Sequence, residues 1–207
     1  MSIKKGIYAA SMTILNKDLS VDCDSTIKHS EKLIHDGCQG CVLFGSTGQA
    51  QLISSNEKKK LIEKLNNSKF KDRFILGTGT NSLNENVELI KFSINNGINR
   101  FLLGVPAYYK FGDEGAYSFY ANLIQKVPEV QIVLYNFERL FGYNFSFNCP
   151  ALFVHGKDSL LTSGYFLENI KNTYSNIMDF EEVSGAAHHV PLDKPIELVN
   201  IIKSRLF

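Results

Sequence analysis

Nearly continuous apolar runs alternate along the chain with segments whose apolar residues recur at helical spacing. The runs fall at 7–13, 40–44, 74–77, 100–105, 131–135, 151–155 and 178–183. They do not alternate polar with apolar positions, which predicts strands buried on both faces, as in parallel sheets covered by helices. Two capping-box patterns, Ser54-Ser55-Asn56-Glu57 and Ser82-Leu83-Asn84-Glu85, mark helix starts, because the serine oxygen satisfies an orphan backbone N–H of the first turn. After Glu85, apolar Val87, Ile90 and Ile94 share a helical face and Gly97 supplies a left-handed stop. The segment 26–36 repeats this design with Ile27, Leu33, Ile34 and the stop Gly37. Pro195 opens a last helix whose apolar stripe is expected at Ile196, Val199, Ile202 and Leu206. Strand, helix and strand in repetition give an α/β chain of parallel βα units. The rhythm fits an open doubly wound sheet or a (β/α)₈ barrel and does not choose between them. The segment 141–150, aromatic and weakly patterned, is the candidate seam.

Composition narrows the function classes. With 207 residues, 44% hydrophobic and 21% charged, the chain has the make-up of a folded globular protein. A formal net charge of +1 supplies no electrostatic footprint for nucleic acid. No apolar run approaches the roughly 18–20 residues of a membrane span, and the start of the chain lacks a signal-peptide pattern, so a cytoplasmic protein without membrane association is expected. Four cysteines are too few for a disulfide scaffold. Cys38 and Cys41 have the spacing of a metal knuckle without a second ligand pair, so neither a metal nor another cofactor is expected. Lys58-Lys59-Lys60 reads as a solvated helix face.

The candidate chemistry gathers at the ends of the runs, where parallel α/β architectures place their sites. The second run ends in Gly45-Ser46-Thr47-Gly48-Gln49, the third in Gly77-Thr78-Gly79-Thr80-Asn81, the fourth in Val105-Pro106-Ala107-Tyr108-Tyr109 and the fifth in Leu134-Tyr135-Asn136. Hydroxyls between glycines, with backbone N–H groups nearby, suit a small carboxylate or phosphate. As an ordered set these motifs, over residues 4–148, resemble the dihydrodipicolinate synthase and N-acetylneuraminate lyase family of pyruvate-dependent class I aldolases.

The resemblance implies a TIM-type (β/α) barrel, here incomplete or rearranged, and a Schiff-base lyase acting on pyruvate or a related 2-keto acid. Ser46 and Thr47 would hold the keto-acid carboxylate. Ser46, Tyr109 and Tyr135 would form a hydroxyl proton relay, with Tyr109 reaching into a neighbouring subunit of a homo-oligomer, and Tyr135 would serve the Schiff base. Arg139 would receive a second carboxylate, although Asn136-Phe137-Glu138-Arg139 lacks the family's usual proline. The amine that forms the iminium would be Lys157, in Gly156-Lys157-Asp158-Ser159, which follows Tyr135 more closely than the family's lysine does.

The last third supports another reading as well. Residues 150–207 resemble the end of an α/β-hydrolase: a strand closes in His155-Gly156, and His188 stands seven residues ahead of the helix-opening Pro195, as a triad histidine would. Asp158 lies near the acid position, but no Gly-x-Ser-x-Gly nucleophile elbow occurs. The expected organisation is five aldolase-like βα units over 1–148 followed by a hydrolase-like βαβα segment over 149–207. The alternatives to a lyase, in which loss of the barrel's C-terminal part would impair catalysis, are a silent fusion or truncation and a hydrolase relative using His188.

Overall fold

The computed structural model describes residues 3–107, 111–135, 151–160, 162–176 and 178–206. They fall into two compact units, Met1–Asn144 and Phe145–Phe207. The first contains β1 (Tyr8–Ala10), α1 (Cys23–His35), β2 (Gly40–Leu43), α2 (Ser55–Leu65), β3 (Phe74–Gly77), α3 (Leu83–Asn95), β4 (Arg100–Gly104), α4 (Asp113–Lys126) and β5 (Gln131–Tyr135). The second contains β6 (Ala151–Gly156), α5 (Gly164–Tyr174), β7 (Met178–Val183), the single turn α6 (Val190–Asp193) and α7 (Pro195–Leu206). The seam at 141–150 lies outside the described residues.

The strand order separates the two architectures that periodicity left open. All five strands of the first unit pair in parallel, each with the next in sequence, in the order β1-β2-β3-β4-β5. A doubly wound sheet reverses direction at a switch point, whereas crossovers of one hand that always step the same way leave every helix on one face. Consistent with that, α1 packs on α2, α2 on α3 and α3 on α4. The unit is an incomplete (β/α) barrel.

The apolar runs are buried as their composition requires. All four residues of β3 are buried, and Leu43, Phe74, Phe101 and Leu103 meet Leu61, Ile62, Leu65, Leu89 and Ile90 of the helices in one core. The first run is a shorter strand than expected, three residues, although Ser11 N–H still donates to Val42 C=O at 2.9 Å. At α2 the capping box is complete: Ser54 Oγ accepts from Glu57 N–H at 3.3 Å and the Glu57 carboxylate accepts from Ser54 N–H at 3.2 Å. Glu57 Oε1 also accepts from Val21 N–H at 3.1 Å, tying α2 to the β1–α1 connection. Ser54 Oγ also donates to Glu57 Oε2 at 2.6 Å, and this bond, ahead of those from the Val21 and Ser54 N–H groups, holds the Glu57 carboxyl below its ordinary value. The box at Ser82 is half-formed, because the Glu85 carboxylate accepts from Thr80 Oγ1 instead.

In the second unit β6 and β7 pair in parallel over six residues, and Val183, Ala186 and Val190 form a small core with Val154, Leu198 and Ile201. Of the stripe expected on the last helix, Ile196 and Val199 are exposed and Ile202 is half-buried, whereas Leu198 and Ile201 pack against the small core.

Two glycines on the first sheet differ in what they tolerate. A Cβ on Gly77 would collide with the backbone carbonyl oxygen of Phe44, whereas one on Gly45 would meet Leu102 at an ordinary 3.7 Å. Gly77→Ala is expected to lower the urea midpoint by about 1–3 kcal/mol equivalent, and Gly45→Ala to leave it unchanged or slightly raised. Equal effects in the two unfolding curves would contradict this packing.

Candidate functional site

Parallel pairing brings the C-terminal ends of β2 to β5 to one end of the sheet, and a cavity of about 370 Å³ opens there. Its walls are Phe44, Gly45 and Ser46 after β2, Gln49 to Leu52 in the loop that follows, Thr78 to Asn81 after β3, Leu102 and Gly104 on β4 with Val105 just after it, and Tyr135 at the end of β5. Leu102, Gly104 and Tyr135 share the sheet face opposite the helices, as the two-residue period of a strand requires.

Local backbone geometry shapes the loop. Phe44 adopts φ +56°, an uncommon conformation for a bulky residue, and its ring is fully buried. A turn of this kind costs on the order of 1–3 kcal/mol and persists only where packing imposes it. Gln49 is also left-handed, φ +52°, and its N–H donates to Ser46 C=O at 3.0 Å, closing a turn over Ser46 to Gln49. Thr13 Oγ1 donates to Gly48 C=O at 2.6 Å and pins the turn to the chain beyond β1. Gly79, φ +64°, leaves room for Ala50, whose Cβ would stand 2.5 Å from any added carbon. On the next wall Asn81 Oδ1 accepts from Ala107 N–H at 2.9 Å, fixing the β4 loop.

Within this frame Ser46 Oγ and Tyr135 OH lie 3.0 Å apart, although 89 residues separate them. Either oxygen can donate, so the pair can pass a proton in both directions. Ser46 is exposed and Tyr135 half-buried, which leaves the pair reachable from the cavity. Thr47 is exposed and does not belong to the cavity wall. Tyr109 and Arg139 lie outside the described residues. Lys157 belongs to the second unit: its N–H donates to Val183 C=O at 3.0 Å, and its Nζ stands 3.8 Å from Glu182 Oε1 on β7 with the side chain 60% exposed. His188 is exposed, its ring 5.1 Å from that of His189.

The lysine run on α2 requires a correction. Lys58 is 3% exposed, so the run is not a solvated face throughout. Its Nζ donates to Thr78 C=O at 2.8 Å, directly beneath the cavity wall. Burial pushes its pKa down to about 8, against the opposing attraction of Glu85 and Glu57. Lys59 pairs with Glu88 at the surface. Among the described residues no three His, Cys, Asp or Glu side chains converge as a metal site, and no helix is long and apolar enough to cross a membrane.

The dihydrodipicolinate synthetase family model matches residues 4–150. The chain belongs to that family. A 4-hydroxy-tetrahydrodipicolinate synthase of Bartonella bacilliformis is 36% identical over 134 residues, 64% of this chain and 45% of the relative. The crystal structure of a chloride-inhibited dihydrodipicolinate synthase from Acinetobacter baumannii, complexed with pyruvate, superposes with a TM-score of 0.60 at 33% identity, covering 68% of this chain and 48% of that one. A prophage protein of the dihydrodipicolinic acid synthase family from E. coli K12 shares the fold at TM-score 0.64 and 18% identity, over 98% of this chain and 76% of that one. The chain spans about half the length of the curated relatives it matches.

For this family member, the buried Lys58 makes stability depend on alkaline pH. The unfolded chain holds the Lys58 proton up to about pH 10.5 and the folded chain only to about 8. The penalty of burying the charge is full below pH 8 and fades between these values. Wild type is therefore expected to gain stability relative to Lys58→Met as pH rises from 8 to 10.5. Parallel urea midpoints across that window would contradict a buried ammonium.

Proposed function

We propose that the chain is a Schiff-base-forming class I aldolase, a lyase acting on pyruvate or a related 2-keto acid. The observation that carries this reading is the 3.0 Å contact of Ser46 Oγ with Tyr135 OH at the mouth of the cavity. Pyruvate bound to the Acinetobacter baumannii relative supports the substrate class.

In the proposed reaction the ε-amine of Lys157 adds to the keto carbon, and the resulting hydroxyl takes up a proton and leaves as water, forming an iminium. The iminium draws electrons from the adjacent carbon, whose proton passes to the hydroxyl relay; the resulting enamine attacks an aldehyde, the new alkoxide takes up a proton, and water hydrolyses the product iminium to release the keto acid and restore the amine. A phenol has an ordinary pKa near 10, so it moves protons efficiently only when a partner holds it in geometry, the role assigned to Ser46. Thr47 helps to hold the substrate carboxylate, Arg139 receives a second carboxylate, and Tyr109 completes the relay across a subunit boundary in a homo-oligomer. Residues 1–148 form the aldolase-like part and 149–207 a separate βαβα segment, a division that the two compact units support. A cytoplasmic location agrees with free Cys23, Cys38 and Cys41.

Borohydride reduction of the intact chain in the presence of pyruvate tests the proposal. A stable adduct is expected on Lys157 by peptide mass mapping, absent in Lys157→Ala, with turnover reduced about 10²–10⁴-fold in Tyr135→Phe. Absence of any adduct would sink the aldolase reading. An adduct on Lys58 would remove the nucleophile's role from Lys157 and give it to the buried amine.

A further inference from the structure

The end of the first sheet opposite the strand-end cavity carries a second pocket, of about 280 Å³, lined by Lys4, Tyr8, Gln39, Asp72, Arg73 and Arg100. Its position follows from the same parallel pairing: Tyr8 and Arg100 open β1 and β4, while Gln39 and Arg73 immediately precede β2 and β3. Three cations face one carboxylate, a local formal charge of about +2 when all are ionised.

The cations are held in place by backbone. Arg73 donates from Nε to Gln39 C=O and from Nη2 to Cys38 C=O, both at 2.6 Å, and Arg100 donates from Nη1 to Asp72 C=O. Carbonyl partners orient a guanidinium without cancelling its charge. Arg100 is 9% exposed, and its Nε is buried with no hydrogen-bond partner among the described residues. Among the described residues no ion pair joins Asp72 to Arg73 or Arg100. A buried guanidinium keeps its charge, and without an ion-pair partner among the described residues it is costly unless an anion nearby compensates it.

We propose that this pocket binds a phosphate group. Phosphate carries close to two negative charges at neutral pH and offers acceptor oxygens suited to the Arg fork. At about 30 Å³ per liquid water, the volume admits a phosphate with a short organic tail. The site uses none of the groups assigned to aldol chemistry and stands independently of it.

Isothermal titration of the full chain tests this with inorganic phosphate and with glycerol 3-phosphate, at fixed ionic strength and with chloride as control. Saturable phosphate binding without a chloride response is expected. Lys4→Glu, on an exposed side chain, should weaken it about tenfold or more. Asp72→Asn, which removes the only carboxylate lining the pocket, should tighten it several-fold, a gain that a merely structural role would not produce. Tighter binding of glycerol 3-phosphate would identify a phosphomonoester as the ligand, and preference for inorganic phosphate would identify the free ion. No phosphate-specific binding, or binding unchanged in both variants, overturns the proposal.

Discussion

Parallel pairing of each strand with the next is the constraint from which both ends of the first unit follow. Because β1 to β5 run the same way in unbroken order, every strand-end loop is delivered to one rim and every strand start to the other. Backbone hydrogen bonds set this arrangement, and the side chains exploit it. Ser46 and Tyr135 touch only because Gly104 lies opposite Tyr135 and the intervening strands keep step. At the other end, the same register gathers Arg73 and Arg100 beside Gln39 and Tyr8.

The two rims are built by different physics. At the carboxyl rim the chain accepts conformational cost: Phe44 takes a left-handed turn, Gly77 gives way to its carbonyl, and Lys58 gives up solvation to reach Thr78 C=O. Such costs persist where neighbouring contacts over-determine the geometry, and here they lie directly against the cavity. At the amino rim the cost is electrostatic, with guanidinium groups fixed on carbonyl oxygens and, among the described residues, joined in no ion pair.

Most of the fold was legible in the sequence, since the apolar runs located the seven strands of the described residues and Ser54-x-x-Glu57 located the start of α2. The family and the Ser46 and Tyr135 positions were legible through the strand-end motifs. Lys58 was open to detection: with Leu61, Ile62 and Leu65 it completes a helical stripe, all four buried. Its membership in a lysine run obscured that spacing. On α7, Ile196 and Val199 are as apolar as Leu198 and Ile201, so the sequence pattern alone does not tell which pair turns inward.

By itself the sequence determined which segments become strands and helices and which residue types stand at the strand ends, because hydrophobic periodicity and capping are local properties. Tertiary structure alone decided the barrel-like strand order, the left-handed turn at Phe44, the contact of Ser46 with Tyr135 and the burial of Lys58 and Arg100. Those features depend on pairing and packing between residues far apart in the chain, which no local pattern encodes.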